Sequence, residues 1–250
     1  MDHENEENAR LALLRSRLYQ TLAASFLHPD KEFLESVATG RFFGDTEPLL
    51  KSVVRENGRE LMEDWKQMAR KGPTSEQLLN SYHLVFSHTL SQTCPPCEME
   101  YERTHVFQLT QQLADLSGFY KAFGADLVEK SGERVDHFAV QMEFMSWLTL
   151  KQAYFIQEGN GEAQQIVTDA QRKFFKDHLG RWSPLFLRKL LRERPPKFYR
   201  LVAEAASSFL EFEKNLLGVD PQGGRDTDFQ SIPDFEEEPM CGFSDSCPGC

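Results

Sequence analysis

The chain has 250 residues, 40% of them hydrophobic, enough apolar side chains for a sizeable core, which excludes a wholly disordered protein. Lys+Arg 28 against Asp+Glu 39 gives a net charge of −11, a balance that repels phosphate backbones, excludes a general nucleic-acid binder and favours basic partners. Among the apolar residues 29 Leu and 20 Phe stand against 11 Val and 3 Ile, so the branched side chains that line strands are scarce and an all-α protein is expected.

The opening MDHENEENAR is acidic where an export signal would be basic. No apolar run approaches the roughly 18 residues of a membrane span. A cytoplasmic chain without stable membrane insertion is expected. Leu11, Leu14, Leu18, Leu22 and Phe26 then recur at the spacing of one helix face, and His28-Pro29 ends the pattern. Further helical stretches are expected near 31–39, 47–70 with a break at Asn57-Gly58, 75–87, 104–123, 136–157, 162–179, 184–193 and 196–217. The pairs Gly72-Pro73, Pro95-Pro96, Ser131-Gly132, Ser183-Pro184 and Pro195-Pro196 punctuate them. No repeat of fixed period appears, so the expected architecture is one compact, irregular bundle of eight to ten helices over 1–217. Residues 218–250 carry eight acids against Arg225, with scattered Pro and Gly, and read as an acidic, largely irregular tail.

Signatures of catalysis are missing: no glycine-rich phosphate loop, dinucleotide fingerprint, nucleophile elbow or two-histidine metalloprotease helix occurs. The expected protein is not an enzyme. Three short stretches stand out instead. Tyr82-His-Leu-Val-Phe86 ends a helix and is either an ordinary core stripe or a binding face. Cys94-Pro-Pro-Cys-Glu-Met-Glu-Tyr101 is a loop stiffened by two prolines, either a rigid connector or a recognition loop. Asp136-His137 precedes Gln141-Met-Glu-Phe-Met145, and Asp136 either caps the following helix or serves a ligand.

In this order the three stretches resemble the TorD family, the cytoplasmic maturation chaperones of molybdenum-containing oxidoreductases, which includes the DmsD and NarJ types. Tyr82, Val85 and Phe86 match its first signature. Pro95, Pro96, Glu98 and Tyr101 match the second, with Cys97 in the place of an aromatic. Asp136, His137, Glu143, Phe144 and Met145 match the third, with Val135 in the place of a proline. The resemblance covers roughly residues 10–217. It implies a protein, monomeric or a domain-swapped dimer, that binds the N-terminal, twin-arginine-type leader of an apo-molybdoenzyme catalytic subunit and holds it until the molybdopterin cofactor is inserted. Such a leader joins an apolar run of about 7–15 residues to basic residues. Tyr82, Val85, Phe86 and Tyr101 would supply an apolar groove, and Glu98, Glu100 and Asp136 would face the arginines. On that reading Asp136→Ala weakens leader binding with little loss of melting temperature.

The cysteines support a different reading. Cys94-x2-Cys97 and Cys247-x2-Cys250 have the spacing of zinc ligands, and four thiolates would complete a tetrahedral shell or hold an iron-sulfur centre. A metal- or thiol-dependent regulator is the alternative to the chaperone, which itself requires no cofactor. Inert thiols remain a third outcome.

Overall fold

The computed structural model describes residues 3–54, 58–88, 93–101, 106–125 and 132–221. Ten α-helical segments occur among them and no strand does: α1 (His3–Ser25), α2 (Lys31–Ala38), α3 (Arg41–Lys51), α4 (Arg59–Arg70), α5 (Ser75–His83), α6 (Val106–Ala122), α7 (Phe138–Gln157), α8 (Gly161–Phe174), α9 (Gly180–Arg192) and α10 (Lys197–Leu217). The all-α expectation holds. None of the described helices is long and apolar enough to cross a membrane.

Local chemistry sets most of the boundaries. Asp30 caps α2 by accepting from the Phe33 amide at 2.7 Å. Thr74 and Gln77 form a reciprocal capping box at α5, and Asn160 caps α8. Gly218 closes α10 at φ +64°, a conformation that favours glycine.

Two boundaries differ from the expected ones. The segment expected from residue 47 begins at Arg41, because Phe42, Phe43, Thr46 and Leu50 form a buried face that outweighs Pro48, whose ring sits on the solvent side. Ser183-Pro184 does not end a helix either. A π turn at Phe175–Leu179 shifts the register ahead of it, α9 runs through the proline, and the Ser183 hydroxyl donates to the Leu179 carbonyl.

The core is one continuous cluster in which α1 lies along α7, α8 flanks α7, and α9 and α10 pack together. Opposite them α2 to α5 pack around Phe42, Phe43 and Trp65, whose indole donates to the Phe43 carbonyl at 3.0 Å. The first two turns of α7 are apolar on nearly every side and are buried accordingly, from Phe138 to Met142. The expectation that Asp136 faces a leader's arginines and can be replaced with little loss of melting temperature is therefore corrected, since its side chain is fully buried.

Candidate functional site

The second and third sequence stretches meet across the chain. Cys97 and His137 form an antiparallel bridge, in which the Phe138 amide donates to the Pro96 carbonyl at 2.8 Å and the Glu98 amide to the Asp136 carbonyl at 3.0 Å. The two prolines stiffen one side of this bridge, while the start of α7 anchors the other. Tyr120 of α6 donates its hydroxyl to the Val135 carbonyl at 2.7 Å and holds the approach to the helix.

Around the bridge lies a buried polar seam. The Asp136 carboxylate accepts from the Met99 amide at 3.0 Å and takes both Nε and Nη2 of Arg134 at 2.9 Å, and the Nη1 of Arg134 reaches Glu100 at 2.8 Å. Glu98 is equally buried. Its carboxylate takes the Gln141 amide, His178 Nδ1 at 3.2 Å and Arg181 at 3.3 Å, and Gln141 in turn accepts from the Trp182 indole at 3.0 Å. Fully buried carboxylates are tolerated because each is paired and hydrogen-bonded. The expected acidic rim thus resolves into two parts. Glu98 and Asp136 are internal pins that tie the proline loop to α7, α9 and the π turn before it. Glu100, by contrast, is exposed.

His137, and not Asp136, caps α7: the Ala139 amide donates to its Nδ1 at 3.2 Å. Burial pushes His137 down to about 4, so the ring is neutral near pH 7 with its lone pair on the capping nitrogen. Its other nitrogen lies 4.0 Å from Glu133.

The first stretch approaches from the other side. Tyr82 and Phe86 are half-buried and their rings lie 5.2 Å apart at the end of α5, where the helix loosens into a π turn over Leu84–His88. Phe26 joins the stretches, lying against Phe86 at 6.1 Å and Phe138 at 4.8 Å. Burial raises the Tyr82 phenol, and the Glu133 charge raises it further. Val85 and Tyr101 are not groove residues. Val85 is inside the core, and Tyr101 is buried against Trp182 at 5.3 Å, with the Lys189 ammonium over its ring. Pro95 and Pro96 are partly exposed, and Glu143 is half-buried on the outer side of α7, where burial raises its carboxyl.

Cys94 and Cys97 are both buried, and burial pushes their thiols up to about 11 and about 12, with the Asp136 charge adding to the effect at Cys97. Thiols raised in this way are weak nucleophiles near pH 7. Among the described residues no group of three or more His, Cys, Asp or Glu could hold a metal. Cys247 and Cys250 lie outside the described residues.

Sequence reasoning did not assign roles to Arg134, Gln141, His178, Arg181 or Trp182. Arg134 was detectable as a cation two positions from Asp136. Gln141 stood inside the third stretch without a role, and His178, Arg181 and Trp182 come from the distant π turn and α9, where no local pattern marks them.

Comparison with known proteins follows this geometry. Residues 52–188, more than half of the chain, match the family described as nitrate reductase delta subunit, and the chain belongs to that family of TorD- and NarJ-type molybdoenzyme maturation chaperones, whose members are assembly factors and not catalysts. It is 26% identical over 203 residues to the perchlorate reductase assembly chaperone protein of Dechloromonas aromatica (strain RCB), covering 80% of this chain and 88% of that one. It is also 32% identical over 106 residues to the selenate reductase assembly chaperone protein of Thauera selenatis, which covers 42% of this chain and 53% of the relative. The chlorate reductase assembly chaperone protein of Ideonella dechloratans is 29% identical over 114 residues, 46% and 57% of the two chains. No solved structure matches the chain.

Proposed function

We propose that this chain is the cytoplasmic maturation chaperone of one molybdenum-containing oxidoreductase, and that it binds the N-terminal, twin-arginine-type leader of the apo catalytic subunit until the molybdopterin cofactor is inserted. The relatives, each an assembly chaperone of a reductase, support the class of client. One feature carries the leader reading: the half-exposed rings of Tyr82 and Phe86, 5.2 Å apart, form an apolar edge on a chain of net charge −11 whose Glu100 is exposed on the bridged loop. A leader carries the complementary pair, an apolar run beside cations. Each aromatic or aliphatic anchor that the leader buries contributes about 1.5–3 kcal/mol, against a total of about −8 kcal/mol for micromolar binding. Exposed charge pairs add about 0.2–1 kcal/mol each, so they orient the leader more than they hold it.

Calorimetric titration of the full chain with a synthetic peptide of two adjacent arginines followed by an apolar run tests this. Binding in the micromolar range is expected, weakened about tenfold by Tyr82→Ala, which removes about 1.4 kcal/mol of contact. The half-exposed position of Tyr82 leaves the melting temperature of that variant close to wild type. Equal affinity for the leader peptide and for a scrambled peptide of the same composition would end the leader reading.

A further inference from the structure

Asp136 has no exposed side-chain surface, yet the group that closes over it is half exposed: Arg134 keeps 48% of its side chain in solvent and Glu100 keeps 41%. All three guanidinium nitrogens of Arg134 are engaged, Nε and Nη2 by the two oxygens of Asp136 and Nη1 by Glu100. The two carboxylates come from different segments and are held at this spacing by the Cys97–His137 bridge and the Met99 amide. The result is a receptacle shaped for a planar fork. A guanidinium satisfies both carboxylates at once, whereas an ammonium is a point donor without that match.

We propose that this receptacle is the arginine subsite for the leader, and that Arg134 occupies it in the free protein as a tethered competitor that a leader arginine replaces. The proposal rests on the leader reading above and adds to it the atoms that recognise arginine. Exchanging one fork for another keeps the buried Asp136 paired at every stage, so no uncompensated buried charge is left behind. Arg134 is already half solvated and loses little on turning outward. A tethered competitor acts at an effective concentration of about millimolar, which weakens the leader complex and favours its later release. A lysine does not reproduce the fork, so the exchange also selects for arginine.

The test uses the full chain as wild type, Arg134→Lys and Arg134→Ala, each titrated with two peptides that share one apolar run and carry either two arginines or two lysines. Removing the competitor should tighten binding of the arginine peptide at least about threefold in Arg134→Ala, with Arg134→Lys in between. The lysine peptide should gain clearly less than the arginine peptide in Arg134→Ala, which separates the fork from the change in net charge. A folded Arg134→Ala that binds the arginine peptide no better than wild type overturns the proposal. Should Arg134→Ala fail to fold, Arg134→Lys decides on the same criterion.

A second measurement does not depend on peptides. Millimolar ethylguanidinium, the piece of side chain that Arg134→Ala removes, should raise the melting temperature of that variant, as n-propylguanidinium should for Arg134→Gly if the alanine is unstable, and neither should raise that of wild type. No rise overturns the receptacle even where peptides bind. If neither peptide binds any variant while the rise is seen, the leader reading fails and the guanidinium site stands apart from it.

Discussion

Arg15 and Glu213, 198 positions apart, meet in the interior as a two-pronged pair, with Nε and Nη2 of the arginine each 2.7 Å from a carboxylate oxygen. Gln171, Gln152 and the Tyr19 hydroxyl complete the network, which ties α1 to α7, α8 and α10. Removing one partner leaves a buried charge without its counterpart. Arg15→Met should cost about 3–5 kcal/mol in urea unfolding, and the double variant Arg15→Met/Glu213→Met should recover most of that loss. If both variants are equally unstable, the pair is not the source of the cost.

His137 makes stability depend on pH. The fold holds the ring at about 4 against 6.5 for an unhindered imidazole, so its contribution is complete above about 6.5 and is lost as the pH falls towards 4. Each unit of that gap is worth about 1.4 kcal/mol. Unfolding free energy measured in denaturant should therefore decline over this window. His137→Asn keeps a capping acceptor without a titrating ring and should flatten the decline; an unchanged slope would remove His137 as its source.

Asp136→Ala should reduce leader binding and stability together. The substitution strands the buried Met99 amide, and a lost bond to a charged group is worth about 1.5–3 kcal/mol. Melting temperature and titration read side by side check this. Unaltered melting would contradict the buried placement of the carboxylate.

The Cys94 and Cys97 thiols should be slow to react. In a variant with Cys241, Cys247 and Cys250 changed to Ser, the remaining pair should label with a disulfide reagent at pH 8 at least about tenfold more slowly than a free thiol, since each unit of raised pKa removes nine-tenths of the thiolate. Prompt labelling of the folded protein would show that the pair is open and ionised.

Much of the architecture was legible along the chain because helix period and helix ends are local properties. The Leu11 to Phe26 stripe, the Thr74-x-x-Gln77 box and Gly218 each act within a turn or two of backbone. Pro184 misled because its cost was outweighed by a π turn that shifts the register ahead of it, and the start of α3 fell upstream of the expected residue 47 because Phe42 and Phe43 form a buried face. The second and third stretches were likewise visible, and they do meet.

The sequence by itself determined the fold class, nearly every helix, and which short segments to watch, since these depend on residue type and spacing within about 20 positions. Only the tertiary structure decided which acids face inward. Glu98 and Asp136 sit beside Glu100 and Glu133 in motif and charge, yet the first two are buried against Gln141, Arg181 and Arg134 while Glu100 remains exposed. The physical reason is that burying a carboxylate depends on partners brought from distant segments: Glu98 needs α7, α9 and the turn before it in place, and no local pattern records that assembly.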